Sequence, residues 1–289
     1  MENAEVAGAL AEVAELLDEA RASPLQVEAY RAAAGTVSEL DRPVEQIVAE
    51  EGEEGLKRLP HITDRMAEAI VELVRTGGLS LLDQLRADAE PDHIFDSIRG
   101  IGPALAKRIQ ERLGIVTIGE LEKASRESRL RQVPGIGPAR VRRIEQALRE
   151  RLARHPVPAP ADPPPVEELL SVDQEFRDRV AAGQVHRIAP ERYNPKRDAW
   201  LPVLHTGRGP RRYSAQLANT HLAHSRHTNH DWVILYYSEG RRRGQTMVVT
   251  ETEGDLAGRR VVRGREEETR AYYRYALPIS GCQVRFMLH

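Results

Sequence analysis

The sequence predicts a multidomain chain: an all-α N-terminal half, a proline-rich linker and an α+β C-terminal domain. Three observations carry this. Apolar residues recur at helical spacing through roughly the first half. Prolines then occupy six of the eleven positions from His155 to Pro165. Beyond them the pattern changes to short apolar runs flanking glycine-bearing turns, as in strands. At 289 residues the chain is long enough for two domains that each bury a core.

In order along the chain, Val6, Leu10, Val13 and Leu17 mark a first helix, and Val27, Tyr30, Ala34 and Val37 a second. Ser23 stands between them as a cap, with Pro24 at the first helical position, where a missing N–H costs little. Shorter helices follow, punctuated by Gly77-Gly78, Gly100, Gly114 and Gly135. The proline run can neither be helical nor pair in a sheet, so it should form a semi-stiff spacer reaching roughly 30 Å. The expected divisions are residues 1–90, 91–154, a linker at 155–170, and 171–289. In the last of these, Trp200–His205 and Arg212–Leu217 flank a Gly-Arg-Gly-Pro turn, and Asp231–Tyr237 and Gln245–Thr250 flank the turn Glu239–Gly244. The run Trp232-Val-Ile-Leu-Tyr-Tyr is apolar on both alternating faces and reads as a central strand. Arg259–Arg263 adds a strand and Glu266–Tyr275 a helix.

The net charge of −2 conceals an asymmetry. Residues 1–90 carry −12, residues 91–154 carry +6, residues 155–170 carry −3 and residues 171–289 carry +7. Two basic blocks of this kind point to a polyanionic partner. No stretch reaches the roughly 20 apolar residues that span a bilayer, and the N-terminus lacks a basic-then-apolar signal pattern. A lone cysteine, Cys282, excludes an internal disulfide framework and a cysteine-rich zinc cluster. The expectation is a soluble, cytoplasmic protein with no membrane contact.

The first basic block contains one pattern twice. Ile98-Arg-Gly-Ile-Gly-Pro-Ala-Leu-Ala-Lys-Arg-Ile109 is followed 35 residues on by Val133-Pro-Gly-Ile-Gly-Pro-Ala-Arg-Val-Arg-Arg-Ile144. In each, Gly-Ile-Gly-Pro leads into a helix with basic residues. The glycines permit a tight turn and close approach of another backbone. Hairpin N–H groups and the unpaired N–H groups of the new helix then converge, with the positive end of the helix dipole behind them. One copy alone could be a plain helical turn; two copies within one basic block favour a helix-hairpin-helix pair that grips phosphate. The residues expected at the contact are Gly100, Ile101, Gly102, Ala104, Lys107 and Arg108 in the first unit. In the second they are Gly135, Ile136, Gly137, Ala139, Arg140 and Arg143. Contacts to phosphate carry no base information, so binding should be independent of sequence and sensitive to salt.

Together with these units, Ser23-Pro-Leu-Gln-Val-Glu-Ala-Tyr-Arg-Ala-Ala-Ala34, Leu56-Lys-Arg-Leu-Pro60, Ala67-Glu-Ala-Ile-Val-Glu-Leu-Val74 and Thr76-Gly-Gly-Leu79 resemble the N-terminal region of bacterial family X DNA polymerases. The resemblance covers about residues 1–154. It implies that Leu59 to Arg65 is a third hairpin, in a domain that grips the 5′ side of a DNA gap. His61 and Thr63 stand where that hairpin's glycines would be. The family's Schiff-base lysine falls on Ala69, and Lys57 matches a DNA-contacting lysine. After Arg154 nothing resembles the family's palm: no Asp-x-Asp pair occurs anywhere in the chain, nor do the His-x-His ligands of the bacterial phosphoesterase domain. Two-metal phosphoryl transfer needs such carboxylates. The resemblance also implies that the carbonyls of Ile98 and Ile101, and of Val133 and Ile136, can coordinate a monovalent cation; no other cofactor is required.

The C-terminal domain is less explicit. His221, His224, His227 and His230 recur at a spacing of three, which drifts around a helix, so they read as a polar loop before they read as a metal site with His205 or Asp231. Thr250–Glu268 mixes carboxylates with arginines, as surface ion pairs or, alternatively, as a Mg²⁺ site. Arg241–Arg243 and Arg208, Arg211 and Arg212 at two turns suggest a second phosphate patch. Tyr236, Tyr237, Tyr272, Tyr273 and Tyr275 are either core or stacking residues. The reading is a non-catalytic, structure-preferring DNA-binding protein of repair or maintenance, acting on duplex or gapped DNA at the nucleoid. Its alternatives are a DNA-end nuclease with metal chemistry in residues 171–289, and an adaptor docking a repair protein through residues 1–90.

Overall fold

The computed structural model describes residues 1–89, 95, 98–115, 118–154 and 162–276. The expected start of the tandem at residues 91–92, the centre of the proline run at 155–161, and Cys282 lie outside the described residues.

The N-terminal helices are α1 (Asn3–Glu19), α2 (Pro24–Ser38), α3 (Val44–Lys57), α4 (Asp64–Thr76) and α5 (Ser80–Asp88). Pro24 does begin α2, and Val6, Leu10, Val13 and Leu17 of α1 face Val27, Tyr30, Ala34 and Val37 of α2 in one core. Gly77, at φ +75°, ends α4 in the left-handed conformation that glycine adopts without a Cβ clash. A separate core holds the tandem: α6 (Pro103–Leu113), α7 (Ile118–Arg126), a 3-10 turn at Arg129–Gln132, and α8 (Pro138–Arg154).

The C-terminal domain is α9 (Val166–Ala181), β1 (His186–Ile188), β2 (Leu201–Arg208), β3 (Arg211–Leu217), α10 (His221–Ser225), β4 (Val233–Glu239), β5 (Arg242–Thr250), β6 (Arg260–Val262) and α11 (Glu266–Ala276). Its strands form one antiparallel sheet in sequence order. β4 is central and buried on both faces, as its continuous apolar run requires. Val233, Leu235 and Tyr237 pack beneath α9, while Trp232, Ile234 and Tyr236 point the other way.

Three expectations are corrected. Both hairpins turn more tightly than expected, with only Gly209-Pro210 and Gly240-Arg241 between paired strands. Gly209 at φ +57° and Gly240 at φ +59° allow two-residue turns that match the strand twist. Residues 166–170, assigned to the linker, are instead the first turns of α9, because Val166, Leu169 and Leu170 bury against the sheet.

The third correction is the largest, since the outer domains touch. The sheet face opposite α9 rests on α1 and α5. Asp83, 2% exposed, receives His205 Nε2 at 2.9 Å and Ser214 Oγ at 3.2 Å. Arg243 donates to the Gly8 carbonyl and, at 2.8 Å, to Glu15. Arg86 pairs with Glu12 at 2.7 Å and lies 4.3 Å from the centre of the Tyr236 ring. Asp88 accepts the N–H groups of Glu191 and Arg192 at 2.9 and 3.0 Å. Part of the acidic charge of residues 1–90 is therefore answered within the chain rather than by a partner.

Candidate nucleic-acid interface

Each hairpin is built from the core outward. Ile101 and Ile136 are 5% and 6% exposed and anchor their hairpins in the tandem core. Their side chains are thus committed to the core, and the contact expected at each hairpin falls to its backbone. The N–H of Ile101 donates to the Ile98 carbonyl at 3.0 Å, and that of Ile136 to the Val133 carbonyl at 3.1 Å. Closing so tight a loop puts Gly100 at φ +104° and Gly135 at φ +88°, angles only glycine takes readily.

Gly102 caps α6 with its carbonyl, accepting Leu105 and Ala106 N–H at 2.8 and 2.9 Å, and Gly137 does the same for Arg140 and Val141 at 3.0 and 3.1 Å. Neither has a side chain to cap the helix. The N–H groups of Gly102, Ala104, Gly137 and Ala139 donate to no acceptor among the described residues. A Cβ on Gly102 or Gly137 would meet nothing within 4 Å, so the exposed backbone is open to approach. Two helix N-termini therefore present unpaired N–H donors and a positive dipole end to solvent.

The cations around them are held by carbonyls rather than carboxylates. Arg108 donates to the Ala104 and Pro134 carbonyls at 3.1 and 2.7 Å, and Arg140 to the Gly135 carbonyl at 2.7 Å. The two units are packed reciprocally. A Cβ on Gly135 would meet Arg108 at 2.7 Å, and one on Gly100 would meet Arg143 at 3.1 Å. Each helix thus lays the arginine at the same repeat position across the other unit's hairpin. Lys107 and Arg142 are exposed. At the far end of α6, Gly114 packs against Arg263 and Met247 of the sheet domain. Over 11 residues that is about 16 Å from the first hairpin, at the opposite end of the helix.

Leu59–Asp64 makes the same turn, with Ile62 N–H donating to the Leu59 carbonyl at 3.4 Å. His61 takes the left-handed position at φ +61°, where the other hairpins use glycine. Its ligand-binding features are filled from within. The Thr63 hydroxyl accepts the Met66 N–H at 3.4 Å, and Asp64 brings a carboxylate to the N-terminus of α4. Lys57 is paired with Glu53 at 2.7 Å and Glu54 at 3.1 Å, which hold its ammonium above the usual lysine range. Ala69 is buried.

Four of the six arginines expected to form a second phosphate patch are engaged by carboxylates, while Arg241 and Arg242 are exposed. Arg208 pairs with Glu175 at 2.7 Å, Arg211 with Glu168 at 3.1 Å and Glu239 at 3.3 Å, Arg212 with Glu5 at 3.4 Å, and Arg243 with Glu15. Four of the carboxylates considered for metal are likewise engaged: Glu251 by Arg263, Asp255 by Arg270, Glu268 by Arg265 and Asp231 by Arg260. His205 faces Asp83, and His224 faces Asn219 at 2.7 Å. Among the described residues no group of three His, Cys, Asp or Glu converges as a metal site, and no helix is long and apolar enough to cross a membrane. Tyr236 and Tyr237 are buried, Tyr272 and Tyr273 pack against the core, and Tyr275 is exposed.

Comparison with known families agrees with this geometry. Residues 93–150 match the SAM-like helix-hairpin-helix tandem, and residues 1–79 match a helix-hairpin-helix domain. No curated protein matches the chain. The N-terminal half thus carries two helix-hairpin-helix domains, which points to nucleic-acid binding, with only the second presenting open hairpins.

Proposed function

We propose that this protein binds DNA by its phosphate backbone, independently of sequence and with preference for a DNA structure, in repair or maintenance at the nucleoid. The observation that carries this reading is the pair of open helix N-termini at Gly102 and Gly137, without side-chain caps and flanked by Arg108 and Arg140, which are bonded to carbonyls. An anion is the ligand such donors lack. The N-terminal domain is read as a relative of the family X polymerase domain that keeps the hairpin fold and has lost its phosphate site. No polymerase or lyase chemistry is assigned to the chain.

The hairpin carbonyls suit the monovalent cation that the resemblance implies. Those of Ile98 and Val133 accept one N–H each, and those of Ile101 and Ile136 accept none among the described residues. The carbonyls of Ile98, Ile101, Val133 and Ile136 would hold that cation, which would add positive charge at each hairpin.

The test is binding of the full chain to plain, nicked and gapped duplexes of unrelated sequences across a salt series. The reading expects similar affinity for all sequences, a steep loss with salt, and a ranking by DNA structure. Strong dependence on base sequence, or affinity indifferent to salt, would overturn it.

A further inference from the structure

We propose that the C-terminal domain carries a stacking site for an unpaired nucleobase at Tyr193 and His224, with Trp200 behind them, serving a single-stranded extension of the DNA that the hairpins hold. This rests on the backbone-gripping function above and adds a second class of contact to it.

The rings form a built cluster. Tyr193 and His224 stack with centroids 4.4 Å apart and planes 29° from parallel, and Trp200 meets His224 edge-on at 6.2 Å. His224 is fixed by Asn219, whose amide nitrogen donates to the Ala87 and Arg192 carbonyls. The Asn219 Oδ1 is therefore the acceptor, and His224 Nε2 carries the proton at 2.7 Å. Burial, with His230 and His221 nearby, lowers the affinity of His224 for a second proton and keeps the ring neutral for stacking. Tyr193 is 40% exposed, one of few large hydrophobic side chains left so open. The Arg192 guanidinium lies over its ring, 5.6 Å from the centre, as a cation–π contact within the protein.

The surroundings are rich in basic residues, interspersed with Glu191 and Asp198. Arg187, Lys196 and Arg197 are exposed in the segment that carries Tyr193, and residues 218–230 contain four histidines and Arg226 with no acid. Tyr193, Arg197 and His227 all hold positive φ, at +54°, +55° and +56°, a conformation that bulky side chains rarely adopt. Strain of this kind collects where a surface is held in one shape for a ligand.

The cluster is also placed on the way from the hairpins. Arg226 pairs with Glu111 of α6 at 2.6 Å. Glu111 lies along α6 from Gly102 by about 14 Å, with Lys107 between them. A strand leaving the first hairpin would pass Lys107 and Arg226 before reaching His224. Base–aromatic stacking tolerates every base, so this contact would preserve the sequence independence of the hairpins.

The experiment compares affinity of the full chain for a blunt duplex and for the same duplex with a short single-stranded extension, of DNA in one arm and RNA in the other. The expected result is roughly tenfold tighter binding with the DNA extension. Tyr193→Ala should abolish that gain with blunt-duplex affinity unchanged, and Tyr193→Phe should retain it. A 2-aminopurine in the extension should be quenched by the wild type and by Tyr193→Phe, and not by Tyr193→Ala. No gain from the DNA extension, a gain with RNA alone, or an equal loss on both duplexes in Tyr193→Ala would each overturn the proposal. Failure of the hairpin reading looks different, because then the blunt duplex itself is not held.

Discussion

Arg108 reaches from the first helix-hairpin-helix unit to the Pro134 carbonyl of the second, at 2.7 Å, and so lies against Gly135. Arg143 lies on Gly100 in return. Arg108 is bonded to carbonyls, and Arg143 meets Gly100 through its aliphatic stem, so each arginine joins its own helix to the other unit's hairpin.

The first prediction follows from that placement. The double change Arg108→Ala and Arg143→Ala should weaken DNA binding about equally for all sequences. It should also reduce the slope of log affinity against log salt by about 2, roughly 1 for each phosphate no longer neutralised. The measurement is an anisotropy titration over a salt series. An unchanged slope would mean that these arginines serve only to join the units.

The glycines of each hairpin divide into two kinds, and their variants should behave oppositely. Gly102 has φ −111° and open space around it, so Gly102→Ala and Gly137→Ala should each cost only roughly 0.5–1 kcal/mol of folding stability, the margin of glycine over alanine at a helix N-cap. The same pair should weaken DNA binding, because each methyl stands where a phosphate would approach. Gly100 and Gly135 sit at positive φ against arginine side chains, so alanine there should cost about 1–2 kcal/mol of stability each before any DNA is present. Urea melts and binding curves on the four single variants separate these effects. Unchanged affinity in the Gly102/Gly137 pair would sink the claim that these hairpins grip DNA.

The hairpins were legible because their physics is local. A left-handed glycine, an apolar anchor and an uncapped helix start fall within six residues, and the pattern recurs 35 positions later. At Ile101 and Ile136 one residue serves two ends, its backbone in the hairpin and its side chain in the core. The contact between the outer domains was not legible. His205, Ser214, Arg212 and Arg243 alternate along strands as a solvated face would, and Glu5, Glu12 and Glu15 look like the solvated side of α1. Only three-dimensional pairing shows them answering one another. Tyr193 and Trp200 were missed for a similar reason, since His224, the residue that joins them, is more than twenty positions away.

That contact supplies the third prediction. A Cβ on Gly78 would overlap the imidazole of His205, which is bonded to buried Asp83. Gly78→Val should therefore lever the sheet from α5 and leave Asp83 without one of its donors. Calorimetry should show unfolding that starts several degrees lower than in the wild type, or an additional transition. His205→Ala should move it in the same direction through Asp83 alone. A Gly78→Val transition identical to the wild type would show that the domains are not coupled through this clasp.

Glu19, near the end of α1, gives a pH test. Burial, then the neighbouring carboxylate of Glu15, raises its pKa from 4.5 to about 7, with Arg151 of α8 opposing them. The folded chain thus holds a proton that the unfolded chain releases between these values. Stability from this group is fully present below the unfolded value of 4.5 and is lost as pH rises through about 7. Glu19→Gln keeps the uncharged shape at every pH, so it should match the wild type near the low end of that window. Above it the variant should melt higher, by roughly 2 °C for a chain this size. The difference between the two proteins is the quantity to follow, since all other titrating groups cancel from it. A difference that stays constant from acid to alkaline pH would show that Glu19 ionises in the folded protein as it does in the unfolded one.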